Sequence, residues 1–91
     1  MNEKITKHFD AGQFVKNLPN AVFHEEFINK LGRTTAFSKL RSGGENRMTG
    51  YEWGVIERGY KNLGVPDVLS TDQMIALAYA LTARAVTSAH F

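Results

Sequence analysis

Twice in the second half of the chain a hydroxyl residue is followed, three places on, by Glu or Gln and then by an apolar stripe at helical spacing. Thr49 with Glu52, and Ser70 with Gln73, have the spacing of a capping box, in which each side chain satisfies the other residue's free backbone N–H at a helix start. After the first box Trp53, Ile56, Tyr60 and Leu63 fall on one face. After the second, Met74, Leu77, Ala78, Leu81 and Ala85 do the same, widened by Ile75, Tyr79 and Val86. A start signal coupled to a helical period leaves little room for strands, and no persuasive two-residue alternation occurs anywhere in the chain. One helix is predicted from Thr49 to the Gly64–Pro66 stop, and a longer one from Thr71 to about Ser88. Gly54 and Gly59 inside the first should each cost about 1 kcal/mol relative to alanine, so another backbone is expected to approach closely there.

The first half is read by the same signs. Ile5 and Phe9 suggest a short turn over residues 3–9. Asp10 and Gln13 can cap a segment from Ala11 to Leu18, closed by Pro19, with Phe14, Val15 and Leu18 on one face. Asn20 is placed as the cap of a helix over about residues 21–31, whose stripe is Phe23, Phe27, Ile28 and Leu31. Gly32 would close it in a left-handed conformation. Thr34 or Thr35 then caps a short helix from Ala36 to about Ser42, buried through Phe37 and Leu40 and halted by Gly43–Gly44, with a mobile loop at Glu45–Arg47. The expected fold is all-α: residues 1–91 as a single helical domain, a compact bundle of four or five short helices containing a helix-turn-helix-like pair.

Charge singles out the middle of the chain. The net charge is only +2, yet residues 30–61 carry seven cations (Lys30, Arg33, Lys39, Arg41, Arg47, Arg58 and Lys61) against Glu45, Glu52 and Glu57. Both flanks are slightly acidic, so the positive charge coincides with the paired helices. Such a patch is the electrostatic footprint of a nucleic-acid binder, and equally a docking face for an acidic protein or nucleoprotein partner.

The stretch KLGRTTAFSKLRSGG, after the helix that holds Phe27 and Ile28, resembles the helix-turn-helix DNA-binding regulators common in phages and plasmids. The resemblance covers about 25 residues and makes Gly32 the turn glycine. It implies insertion of the second helix into a DNA groove, with Lys30, Arg33, Thr34, Thr35, Ser38, Lys39, Arg41 and Arg47 as the DNA-binding residues. The chain departs from the family pattern in having Arg33 where an apolar residue follows the turn, bulky side chains before it, and the Phe37–Leu40 pair one place early.

Other chemistries find little support. The chain has no cysteine, hence no disulfide framework, thiolate metal site or cysteine nucleophile. His8, His24 and His90 are scattered, and the position that would complete a zinc-binding H-E-x-x-H after His24–Glu25 is Ile28. Glu25 and Glu26 are adjacent on a helix and point about 100° apart, so they do not converge as an acid–base pair. Gly43–Gly44 lacks the lysine of a phosphate-binding loop. The expectation is a non-enzymatic protein without cofactor or metal. No apolar run has the length of a membrane span and the N-terminal residues lack a signal-like core, so a cytoplasmic location is expected. The aromatics Phe9, Phe14, Phe23, Phe27, Phe37, Trp53 and Tyr60 read as core, and Tyr51 and Phe91 as surface contacts. The wide alanine-rich face of the last helix suggests a homodimer.

Overall fold

The computed structural model describes residues 9–66 and 68–88 of the chain. Five helices follow one another: α1 (Ala11–Lys16), α2 (Asn20–Val22, continuing as a π-helix over Phe23–Ile28), α3 (Thr35–Arg41), α4 (Gly50–Leu63) and α5 (Thr71–Ser88). Short 3₁₀ turns lie at Leu31–Arg33 and Glu45–Arg47. No strand occurs among the described residues, and the all-α reading holds. The turn expected over residues 3–9 lies, apart from Phe9, outside the described residues, as do His8, His90 and Phe91.

Helix starts match the local chemistry closely. Asp10 Oδ1 accepts from the Gln13 N–H at 3.0 Å, and both halves of each predicted capping box form. Glu52 accepts from the Thr49 N–H at 2.9 Å and Thr49 from the Glu52 N–H at 3.2 Å. Gln73 accepts from the Ser70 N–H at 2.9 Å, and Ser70 from the Gln73 N–H at 3.2 Å. Helix α4 ends at Gly64, whose φ of 101° is open to glycine, with the Val65 N–H reaching back to the Tyr60 carbonyl at 3.1 Å.

The core is a single cluster to which every helix contributes. Phe23, Phe37, Leu40, Ile56, Leu77 and Leu81 are its largest fully buried side chains, each contributing about 1.5–3 kcal/mol by leaving water. Helix α3 packs on both α4 and α5, α1 lies along α5, and the π-helix meets α4. Phe27 touches the Phe37 ring edge-on, centroids 5.0 Å apart, and Phe23 lies 5.3 Å from Phe27. Trp53, Phe9 and Phe14 are only half-buried at the margin. The buried Tyr60 hydroxyl donates to the Met74 carbonyl at 2.7 Å, tying α4 to the first turn of α5.

Several local expectations are corrected. Asn20 is not a cap: Pro19 holds that position, and the Asn20 side chain accepts from Arg84 Nη2 at 2.6 Å. The helix expected to run to residue 31 stays α-helical only to Val22, then widens, the Asn29 N–H reaching the His24 carbonyl at 2.9 Å. Gly32 is not left-handed; it sits in the 3₁₀ turn, where a Cβ would lie 2.9 Å from the Phe27 carbonyl oxygen. A close approach also explains Gly59, but from a side chain rather than a backbone: a Cβ there would meet Leu31 Cδ1 at 2.6 Å. Gly54 has no such neighbour, only the Arg58 guanidinium at 3.4 Å.

Candidate nucleic-acid interface

Helix α3 begins at Thr34, whose hydroxyl accepts from the Phe37 N–H at 3.1 Å and donates to the Leu31 carbonyl at 2.8 Å. Thr34 is therefore occupied as a cap and partly buried, not turned toward a ligand. Ala36, Phe37 and Leu40 bury the inner face, which leaves Thr35, Ser38 and Arg41, at spacings of three, on the exposed side. The helix stops after seven residues. Gly43 takes a φ of 84°, and the Gly44 N–H donates to the Lys39 carbonyl at 2.7 Å, the two-bond C-terminal closure that glycine permits. The loop at Glu45–Arg47 takes the form of a 3₁₀ turn, with the Arg47 N–H on the Gly44 carbonyl at 3.0 Å.

The eight sequence-predicted residues separate into groups. Lys39 Nζ lies 2.7 Å from Glu52 on α4, and Lys30 Nζ lies 3.6 and 3.5 Å from Glu25 and Glu26. Both lysines are paired with the chain's own carboxylates, which sets them apart from the arginines of the segment. Lys39 and Arg41 also diverge, as residues two apart on a helix must: Lys39 faces α4, while Arg41 lines a groove shared with α5. Arg33, Arg41 and Arg47 are exposed and have no carboxylate partner among the described residues. The residues that remain together as an outward polar and cationic group are thus Thr35, Ser38 and Arg41, preceded by Arg33 and followed in the chain by Arg47.

The connection between the helices differs from a tight helix-turn-helix turn. Asn29 to Thr34 separates Ile28 from Thr35, and the 3₁₀ turn Leu31–Arg33 fills much of it. A turn of three or four residues is the usual form.

Glu52 is held below the usual carboxylate range, first by the Lys39 side chain and next by the Thr49 backbone N–H. Burial pushes the Tyr60 phenol well above its ordinary value of 10.0, so it stays a hydrogen-bond donor.

Two concavities were not anticipated. One, about 460 Å³, lies between the end of α4 and the start of α5, with Tyr60, Val65, Leu69 and Met74 inside and Glu57 and Lys61 on α4. The other, about 200 Å³, is the groove beside Arg41. Neither has a sequence signature: the first is a gap between two consecutive helices and their connection, and the second lies between elements distant in the chain. Among the described residues no group of three His, Asp or Glu converges in a way that could hold a metal, and no helix is long and apolar enough to cross a membrane. Compared with protein-family models, curated proteins and solved structures, the chain matches none.

Proposed function

We propose that this chain is a small, non-enzymatic DNA-binding regulator that presents the outer face of α3 to the duplex. The observation that carries the reading is the exposed set on and around that face: Thr35, Ser38 and Arg41 in register, with Arg33 just before the helix, the two arginines without a carboxylate partner among the described residues. At 1.5 Å per residue a seven-residue helix is about 10 Å long, within the roughly 12 Å width of a B-DNA major groove. Hydroxyls can take part in base-edge hydrogen bonds, and guanidinium groups pair with phosphates or with guanine O6 and N7. Lys30 and Lys39 contribute to the general positive field but are not assigned as contacts. A homodimer on a two-fold site belongs to this reading. Tyr79, exposed on α5 beside half-buried Ile75, supplies uncovered apolar surface for it.

The test is binding of the chain to a fluorescent random-sequence duplex across a salt series. Phosphate contacts from Arg33, Arg41 and Arg47 predict a slope of log K against log salt of about −2.7. No binding at the lowest salt overturns the reading.

A further inference from the structure

The geometry points to a protein-docking site in the groove between the π-helix, α3 and α5, one that takes an apolar side chain from an acidic partner segment and sets a neighbouring carboxylate on Arg41. This goes beyond DNA binding and requires no nucleic acid.

The groove, about 200 Å³, is smaller than the roughly 300–1,000 Å³ of small-molecule pockets. It is therefore suited to one or two side chains rather than to a cofactor. Phe27, Phe37 and Ile28 form its apolar wall on one side and Val86 on the other, and Gly32 leaves it open. Val86 is 56% exposed, an uncovered aliphatic lip at the outer end of α5. Polar chemistry in the lining is sparse. The Thr82 hydroxyl already donates to the Ala78 carbonyl at 2.9 Å, and among the described residues Arg41 is the only charged one of the lining and has no carboxylate partner.

An apolar slot with one unpaired cation at its edge is complementary to an apolar residue flanked by Asp or Glu. The excess positive charge of residues 30–61 would steer such a segment toward it. A phosphate backbone would satisfy Arg41 but leave the Ile28 and Val86 surface in water, so the acidic peptide is the better match. Arg41 is common to both ligands, and an acidic partner would compete with DNA for it.

The experiment is a backbone-amide NMR titration of the full chain with two end-blocked hexapeptides, Glu-Glu-Leu-Phe-Glu-Glu and Gln-Gln-Leu-Phe-Gln-Gln. The acidic peptide is expected to shift the amides of Ile28, Gly32, Ala85 and Val86, and to bind up to about fivefold more tightly than its glutamine twin at low salt, the range of an exposed ion pair. Arg41→Gln removes that preference. Val86→Asp, on a surface position where folding is readily confirmed by circular dichroism, abolishes the shifts. Equal binding of the two peptides, shifts confined to other surfaces, or no shifts at all overturn the inference. So does a duplex oligonucleotide that moves the groove amides when the acidic peptide does not.

Discussion

Lys39 Nζ sits 2.7 Å from Glu52 Oε2, so a residue of the basic segment is joined to the carboxylate that also caps α4. Glu52 thus performs two tasks: it closes the capping box with Thr49 and it clasps α3 to α4. One contact removes a cation from the candidate interface and helps to orient the helix that carries the rest of it.

That arrangement predicts a specific acid response. The Glu52 carboxyl is more acidic in the folded chain than its ordinary value of 4.5, so its stabilisation is fully present above that pH. It is lost as pH falls through the lower, folded value. Glu52→Gln should flatten this part of the acid branch in thermal melts recorded from neutral pH downward. A variant with an acid branch as steep as the parent's refutes the linkage.

Under the DNA-binding proposal the same contact predicts different responses from the cations. Arg33→Ala and Arg41→Ala should each reduce the magnitude of the salt slope for duplex binding by about 1. Lys39→Ala should leave the slope nearly unchanged and lower stability slightly instead. Fluorescence anisotropy and urea denaturation on the same variants separate the two effects.

Gly54 and Gly59 should respond to alanine with opposite signs. At Gly54 the nearest group is the Arg58 guanidinium, 3.4 Å from the new methyl and able to move, so Gly54→Ala gains about 1 kcal/mol of helix propensity. At Gly59 the methyl would lie 2.6 Å from Cδ1 of the buried Leu31, so Gly59→Ala loses about 1–3 kcal/mol through overpacking. In urea titrations, a double variant with Leu31→Ala should be less destabilised than the sum of the single changes.

Arg84 should be among the most sensitive polar positions. Its Nη1 donates to the carbonyls of Val15 at 2.8 Å and Leu18 at 2.9 Å, and its guanidinium lies 4.3 Å from the centre of the Phe23 ring. These carbonyls sit where α1 ends and Pro19 interrupts the chain, a place where helical partners run out. Arg84→Ala is expected to cost about 2–3 kcal/mol. Lysine should rescue little of it, because a single ammonium lacks the planar fork that spans several acceptors. Full rescue by lysine in denaturant titrations would refute the clamp.

Tyr60 makes an alkaline counterpart. Its phenol titrates higher folded than unfolded, so above the ordinary value of 10.0 the unfolded chain releases a proton that the folded chain retains, and stability declines as pH rises. Tyr60→Phe should remove that decline while costing about 1 kcal/mol at neutral pH, where the hydrogen bond to Met74 is lost. Melting curves on either side of pH 10 give both quantities.

Local grammar could be read directly along the chain. The cap at Asp10, the boxes at Thr49–Glu52 and Ser70–Gln73, the stop at Gly64 and the stripes of α4 and α5 are contacts between residues three or four apart, and such contacts can be read in order along a chain. The cationic stretch was legible as composition, but not which of its charges are free. Only long-range packing brings Lys39 to Glu52, Arg84 back to Val15 and Leu18, and Leu31 into the room left by Gly59, and only there does the segment after Val22 widen into a π-helix. That packing alone placed Arg41 on a groove built from three separate elements. Each of these depends on where distant segments come to rest when the apolar stripes are buried together, and that burial favours contact without specifying direction, so the partners emerge only from the packing.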